Sequence, residues 1–194
     1  MKKDVKKNRI KKYFIDAAKE ILINEGVTNI SVRKVGEATG YSYATIYNYF
    51  ESLDHLLWYA GVDFIQDIIK IYESDFIKEK YTPEDIKQLL RKYIAYYFQN
   101  PNVFKFFFFY QTEEPPEVVK QEFVRPSLER IQIGILKNLA QQGIIEHEKV
   151  HIISSLIMNS VHGMLLMYFS GKRKITEQEI YSNAEEVVRF LLRQ

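Results

Sequence analysis

A chain of 194 residues with 46% apolar and 27% charged side chains can fill one large or two small cores, and 8 Gly and 5 Pro argue against long disordered linkers. It has no Cys, which excludes a disulfide framework and suits a cytoplasmic setting, and no apolar run follows the basic N-terminus, so no secretory signal is expected. The net charge of +2 is uneven: residues 1–60 hold 10 Lys and Arg against 7 Asp and Glu, residues 61–194 hold 17 against 18, and residues 1–12 carry seven basic residues and one acid.

In chain order, the basic arm leads into a helix predicted from about Lys6 to Asn24, with Ile10, Phe14, Ala17 and Ile21 on one apolar face and Gly26 as its C-cap. Ser31 is placed to cap a short second helix carrying Val32, Val35 and Ala38, and Gly40 to end it in the left-handed region. Ser42 caps a third helix. With Ile46 at the centre of its buried side, Tyr43, Tyr49 and Phe50 flank it, and Ala44, Thr45, Tyr47 and Asn48 point away. That outward face is small, polar and aromatic, which suits entry into a DNA major groove. Ser52 caps a fourth helix, with Asp54 at its positive end. Phe14, Ile21, Leu22, Val35, Ile46 and Phe50 are expected to form a small shared core.

The fourth helix keeps its period through Leu53, Leu57, Ala60, Phe64 and Ile68, and is expected to reach Tyr72 and to join two cores. Thr82-Pro83-Glu84-Asp85 starts the next helix, which ends near Asn100-Pro101. A short aromatic helix, 103–111, follows. A long one is expected over 117–142 with a kink near Pro126 and a stop at Gly143. Residues 148–170 read as a helix apolar nearly all round, buried rather than membrane-spanning because Asn159, His162 and three serines interrupt its apolar stretch from Ile152 to Phe169. Thr176-x-x-Glu179 is a capping box for the last helix, which places Ile180, Ala184, Val187, Val188, Leu191 and Leu192 on one face. No strand pattern or internal repeat is visible.

Two features bear on chemistry. His147-Glu148-Lys149-Val150-His151 matches H-E-x-x-H, a zinc-hydrolase motif, but it falls at a helix start after a glycine stop, with no predicted sheet and no third ligand nearby. The aromatic run from Phe104 to Tyr110 reads either as packed core or as the lining of an apolar pocket. The polar candidates for such a pocket are Glu122, Glu129, Gln132, Asn159 and His162. No catalytic triad and no phosphate-binding glycine loop suggest themselves, so no enzymatic activity is expected.

The succession Gly26, Ser31-Val32, Ala38-x-Gly40, Ser42, Thr45-Ile46-Tyr47-x-Tyr49-Phe50 and Ser52-x-x-x-Leu56 resembles the DNA-binding domain of the TetR family of bacterial transcriptional regulators, over roughly residues 9–60. The resemblance implies an all-α protein. Residues 1–51 would be a helix-turn-helix domain with its basic arm. Residues 52–194 would be a ligand-binding and dimerisation domain, with helix 52–72 connecting the two. It implies a homodimeric, ligand-responsive repressor of a palindromic operator, without cofactor or metal; a constitutive DNA-binding dimer is the alternative beside the zinc hydrolase. Carried over by position, the DNA contacts are Ser31, Arg33, Ser42, Tyr43, Ala44, Thr45, Tyr47, Asn48 and Tyr49, with Tyr47 against phosphate. The effector, small and largely apolar or aromatic, would meet Tyr93, Tyr97, Phe104, Phe107, Phe108, Phe123, Asn159 and His162. Leu156, Ile180, Ala184, Val187, Val188 and Leu191 would form the dimer contact. Three positions depart from the family pattern: Leu53 where Lys is common, Tyr43 where a basic residue is frequent, and Val35-Gly36 for the usual Ile-Ala, with Gly36 expected to weaken its helix by ~1 kcal/mol.

Overall fold

The computed structural model describes residues 2–73, 78–111, 113–114, 117, 120, 128–172 and 174–192. Among them the regular structure is helical throughout: α1 (Lys2–Glu25), α2 (Val32–Thr39), α3 (Tyr43–Tyr47), α4 (Leu53–Glu73), α5 (Pro83–Gln99), α6 (Pro101–Phe109), α7 (Leu128–Gln141), α8 (Val150–Phe169) and α9 (Glu177–Leu191), with 3-10 turns at Val27–Asn29 and His147–Lys149. The expected kink at Pro126 lies outside the described residues.

Local chemistry accounts for the boundaries. Ser31 accepts from the Lys34 N–H at 3.2 Å and Ser42 from the Thr45 N–H at 3.2 Å, so each cap satisfies a donor that the first turn leaves unpaired. Gly40 closes α2 at φ 73°, where a Cβ would be strained. Pro101 starts α6, where its missing N–H costs nothing. Thr176 and Glu179 bond reciprocally as a capping box. Some boundaries differ from expectation: the aromatic helix is Pro101–Phe109 rather than 103–111, with Tyr110 already extended, and the basic N-terminal residues continue α1 back to Lys2 instead of forming a separate arm. Lys and Arg are good helix formers, and nothing before Gly26 interrupts them.

The chain divides into two compact units. The first comprises residues 1–67 and 100–125, the second residues 68–99 and 126–194. The expected boundary at 51/52 therefore falls inside the first unit, which follows α4 to Asp67 and takes in α6. Within it α1 packs on α2 and α6, and α2 on α3. Phe14, Ile21, Leu22, Val35, Ile46 and Phe50 are all buried together, as their spacing predicts. Lys19 enters this unit from α1 and pairs with Asp63 and Asp67 on α4, its ammonium 4.8 Å from the Phe64 ring centroid.

In the second unit contacts close a ring, α5 on α7, α7 on α8, α8 on α9 and α9 on α5. Each helix presents residues at i, i+4 spacing: Ile86, Leu90 and Ile94 on α5; Leu136 and Ala140 on α7; Ile157, Val161 and Leu165 on α8; Ile180, Ala184 and Val188 on α9, all buried. Helix α8 is long and apolar enough to cross a membrane by length and composition, yet it packs one face, including Val150, Ile153 and Ser154, into this bundle. Its other face leaves Ile152, Leu156 and Met167 exposed, so it is not covered on both sides within the chain.

Candidate nucleic-acid interface

Helix α3 is one and a half turns long and rests on a single buried side chain, Ile46. Around it Phe14 sets its ring edge-on to Tyr41, Tyr49 and Phe50, with centroids 5.3, 5.5 and 6.4 Å away. Phe50 seals the turn into α4. What remains outside is a compact face: Tyr43, Ala44, Tyr47 and Asn48 are exposed and Thr45 is half-buried. Tyr43 corrects the expectation that it would flank the core. It is the first residue of a five-residue helix and is 64% exposed. Tyr49 is half-buried against Phe14 and belongs as much to the core as to the surface.

The hydroxyls on this face are oriented locally. Ser42 Oγ lies 2.9 Å from Thr45 Oγ1, and Ser31 sits exposed at the start of α2 beside Arg33, which pairs with Glu37 at 2.9 Å. Lys34 is held by Glu25. On the flank, the basic first turns of α1 and the turn residue Tyr41 share a crevice of about 630 Å³, lined by Lys6, Arg9, Ile10, Lys12, Tyr13, Asp16 and Tyr41. Lys12 is drawn down by burial, but Asp16 and Asp63 outweigh this and leave its ammonium above the ordinary range.

A second cluster supports the start of α4. Ser52 Oγ accepts from the His55 N–H at 3.0 Å, and His55 Nδ1 accepts from the Glu51 N–H at 3.1 Å, which requires an unprotonated Nδ1. The imidazole stands against Phe50 and Tyr59, and Lys11 Nζ lies 3.3 Å from the Tyr59 ring centroid. Burial pushes the His55 pKa down; Glu51 opposes this and Lys11 adds to it. Sequence reading missed this cluster, because Lys11 and His55 belong to no shared motif and meet only when α1 crosses α4.

Residues 14–59, from Phe14 on α1 to Tyr59 on α4, match the model of the tetR family of bacterial regulatory proteins. Over this region the chain is similar to the TetR family. Solved structures agree over nearly the whole length. The regulator FadR from Bacillus subtilis, solved with stearoyl-CoA, superposes with a TM-score of 0.69 at 22% identity, covering 93% of this chain and 96% of that one. FadR from Thermus thermophilus, a TetR-family repressor solved with lauroyl-CoA, gives 0.64 at 18% identity and 94% and 93% coverage. A TetR regulator from Rhodococcus sp. RHA1 gives 0.63 at 18%, covering 95% and 96%. No curated protein sequence matches the chain.

The effector residues expected for a TetR protein fall into separate groups. Phe104, Phe107 and Phe108 lie in the first unit: Phe104 is fully buried and stacked on Phe108 at 4.4 Å, and Phe107 lies edge-on to Phe64. Tyr93, Tyr97 and His162 come together in the second unit. The Tyr93 hydroxyl is 2.6 Å from His162 Nε2, and its ring meets Tyr97 edge-on at 4.9 Å. Burial raises the Tyr97 phenol well above its usual value, with Tyr93 adding to the effect, and burial lowers His162. Asn159 is exposed on the outer side of α8, in the stripe of Ile152, Leu156 and Met167, and not with His162. Phe123 lies outside the described residues.

The expected dimer residues also divide. Ile180, Ala184 and Val188 are almost wholly buried in the chain's own bundle, so they cannot reach a partner as well. Leu156 is exposed, and Val187 and Leu191 are half-buried. The residue that sequence reading passed over is Phe190, 82% exposed one position from Leu191. His147, Glu148 and His151 are all exposed, and among the described residues no three His, Cys, Asp or Glu side chains converge as a metal site would need.

Proposed function

We propose that this protein is a cytoplasmic, ligand-responsive transcriptional repressor of the TetR family and not an enzyme. As a homodimer it binds a palindromic operator through α3 and is released by a small, largely apolar molecule. The observation that carries this reading is the outer face of α3. Tyr43, Ala44, Tyr47 and Asn48 stand free over a core sealed by Ile46 and Phe50, with the basic turns of α1 alongside. A short helix with small and amide side chains outward suits base edges in a major groove, and the flanking cations suit phosphate. Ser31, Arg33, Ser42, Thr45 and Tyr49 complete the proposed contact set.

Residues 1–51 carry DNA reading in this account, and residues 52–194 carry ligand response and dimerisation. The exposed stripe Ile152, Leu156 and Met167 on α8, together with Phe190 on α9, is the apolar surface that a second copy would cover. The two FadR structures support an acyl-type effector, since those proteins were solved with stearoyl-CoA and lauroyl-CoA. In this chain the apolar second unit, with the Tyr93–His162 pair as a polar anchor, would take the acyl part.

Gel shifts on DNA flanking its own gene, over a salt series, test the core of the proposal. Specific binding that weakens steeply with salt, and is reversed by a long-chain acyl-CoA, is expected. Equal affinity for flanking and scrambled DNA at low salt would refute it.

A further inference from the structure

The residues after α6 engage a carboxylate that the reading face of α3 leaves aside. The Tyr110 N–H donates to the Lys105 carbonyl at 3.2 Å, and Tyr110 turns to an extended backbone (φ −89°, ψ 129°), which carries the chain out of the helix and over the first turn of α4. There Asp54 accepts on both oxygens. The Tyr110 hydroxyl donates to Oδ1 at 3.0 Å and the Glu113 N–H to Oδ2 at 3.0 Å. Trp58, one helical turn along α4 and on the same side, donates its indole N–H to the Glu113 carbonyl at 2.9 Å. Asp54 and Trp58 thus hold one residue by both of its backbone polar groups, and the hold takes no account of the Glu113 side chain.

The near end of α6 is fixed as well. Asn102 donates to the Ile23 carbonyl at 2.9 Å, lying against Gly26, where a Cβ would stand 3.3 Å from its oxygen. Phe106 and Phe107 rest on Phe64 of α4. On the other side of the clamp, only residues 48–52 separate the end of α3 from the start of α4, and Phe50 in that link is buried. A shift of the first turn of α4 has little slack to absorb it before α3 moves.

We propose that Asp54 and Trp58 are positioning residues for DNA recognition: by clamping the Glu113 backbone they fix the first turn of α4 and, through the short link, the orientation of α3. This rests on the DNA-binding reading above, so its test includes a measurement that needs no DNA. Glu113→Pro removes the N–H that Asp54 accepts, while Glu113→Ala keeps both backbone groups. In the full-length protein, Glu113→Pro should change the emission of Trp58, the single tryptophan. It should also raise amide hydrogen exchange over residues 43–50 by about tenfold, and weaken binding to the flanking DNA about tenfold, the loss of a charge-assisted hydrogen bond. Glu113→Ala should match wild type in all three, and Tyr110→Phe, which removes one donor and leaves the backbone intact, should move them part-way.

An unchanged exchange rate over 43–50 while Trp58 emission shifts would overturn the proposal, as would Glu113→Ala behaving like Glu113→Pro. If the proline variant does not fold, Tyr110→Phe against Glu113→Ala decides on the same readouts. Wild-type protein that shows no specific DNA binding would refute the functional reading, and the exchange pattern would still decide the clamp.

Discussion

The carbonyl oxygen of Tyr41 stands 2.7 Å from the point where a Cβ on Gly36 would lie. The turn between α2 and α3 closes directly over Gly36, whose own carbonyl accepts from the Tyr41 N–H at 3.1 Å. The family's usual Ala at this position therefore meets backbone here, and backbone has little room to give. By propensity alone, Gly36→Ala gains ~1 kcal/mol. We expect no gain in Tm from Gly36→Ala and a clear loss from Gly36→Val, read by thermal unfolding. A rise matching the propensity value would show that the turn opens freely.

The exposed face of α3 separates two kinds of DNA contact. Tyr47→Phe removes a hydroxyl proposed to meet phosphate and should weaken all sequences about equally. Asn48→Ala removes an amide proposed to reach a base edge. It should change the ranking of operator variants, with about 1–3 kcal/mol of discrimination lost at one base pair. Competition gel shifts over a set of single-base operator variants distinguish the two, and a uniform effect from Asn48→Ala would assign it to the backbone.

Much of this was legible in the sequence, and the failures share a cause. Caps at Ser31, Ser42, Ser52 and Thr176 and stops at Gly40 and Gly143 are local, so residue type and spacing were enough to place them. The small core from Phe14 to Phe50 followed from helical period. Which side of a nearly all-apolar helix faces inward is not local. Period alone put Ile180, Ala184 and Val188 on one face with Val187 and Leu191, but only the packing of α9 on α5 and α8 shows that the first three are spent inside the chain. The aromatic run left both core and pocket open, because its neighbours α1 and α4 are distant in sequence. The Asp54–Tyr110 contact spans 56 residues and carries no motif at all.

That division of α9 gives a test of assembly. Charge at a position buried in the bundle should unfold the chain, whereas charge on the outer stripe should separate subunits and leave each folded. Ile180→Glu is expected to lose helical circular dichroism. Leu156→Lys combined with Phe190→Glu is expected to keep it, sediment as a monomer, and lose operator binding. A wild-type protein that is monomeric at micromolar concentration would refute the dimer outright.

Two half-buried imidazoles are expected to give the stability a pH dependence. His55 and His162 are both pushed below their ordinary pKa, in each case first by burial. The unfolded chain takes up protons near pH ~6.5 while the folded chain resists, so the stability these groups contribute is fully present above that value and is lost as pH falls through the lower folded values. Protonation at Nδ1 of His55 also forfeits the bond from the Glu51 N–H. The Tm should drop between about pH 7.5 and 5.5, and the drop should shrink in a His55→Gln, His162→Gln double variant. An unaltered slope in that variant would place the sensitivity elsewhere.

The interior of the second unit carries a cost that substitution can remove. Gln132 on α7 is wholly buried, and neither its amide nitrogen nor its oxygen has a hydrogen-bond partner among the described residues; Ser154 Oγ on α8 is in the same position. Each such group forfeits its bonds to water on folding, at about 1–3 kcal/mol, whereas an apolar side chain of similar shape forfeits nothing. Gln132→Met keeps the length and unbranched form of the side chain and can adapt to the same space. It should raise stability by at least ~1 kcal/mol, or about 2–4 °C in Tm for a chain of this size, and Ser154→Ala should raise it by less. The comparison is internal: a hydroxyl carries less unsatisfied polarity than a carboxamide, so the order of the two gains matters as much as their size. A fall in Tm for Gln132→Met would mean that the amide is hydrogen-bonded in solution, and the buried layer between α7 and α8 would then have to be wetter than its packing indicates.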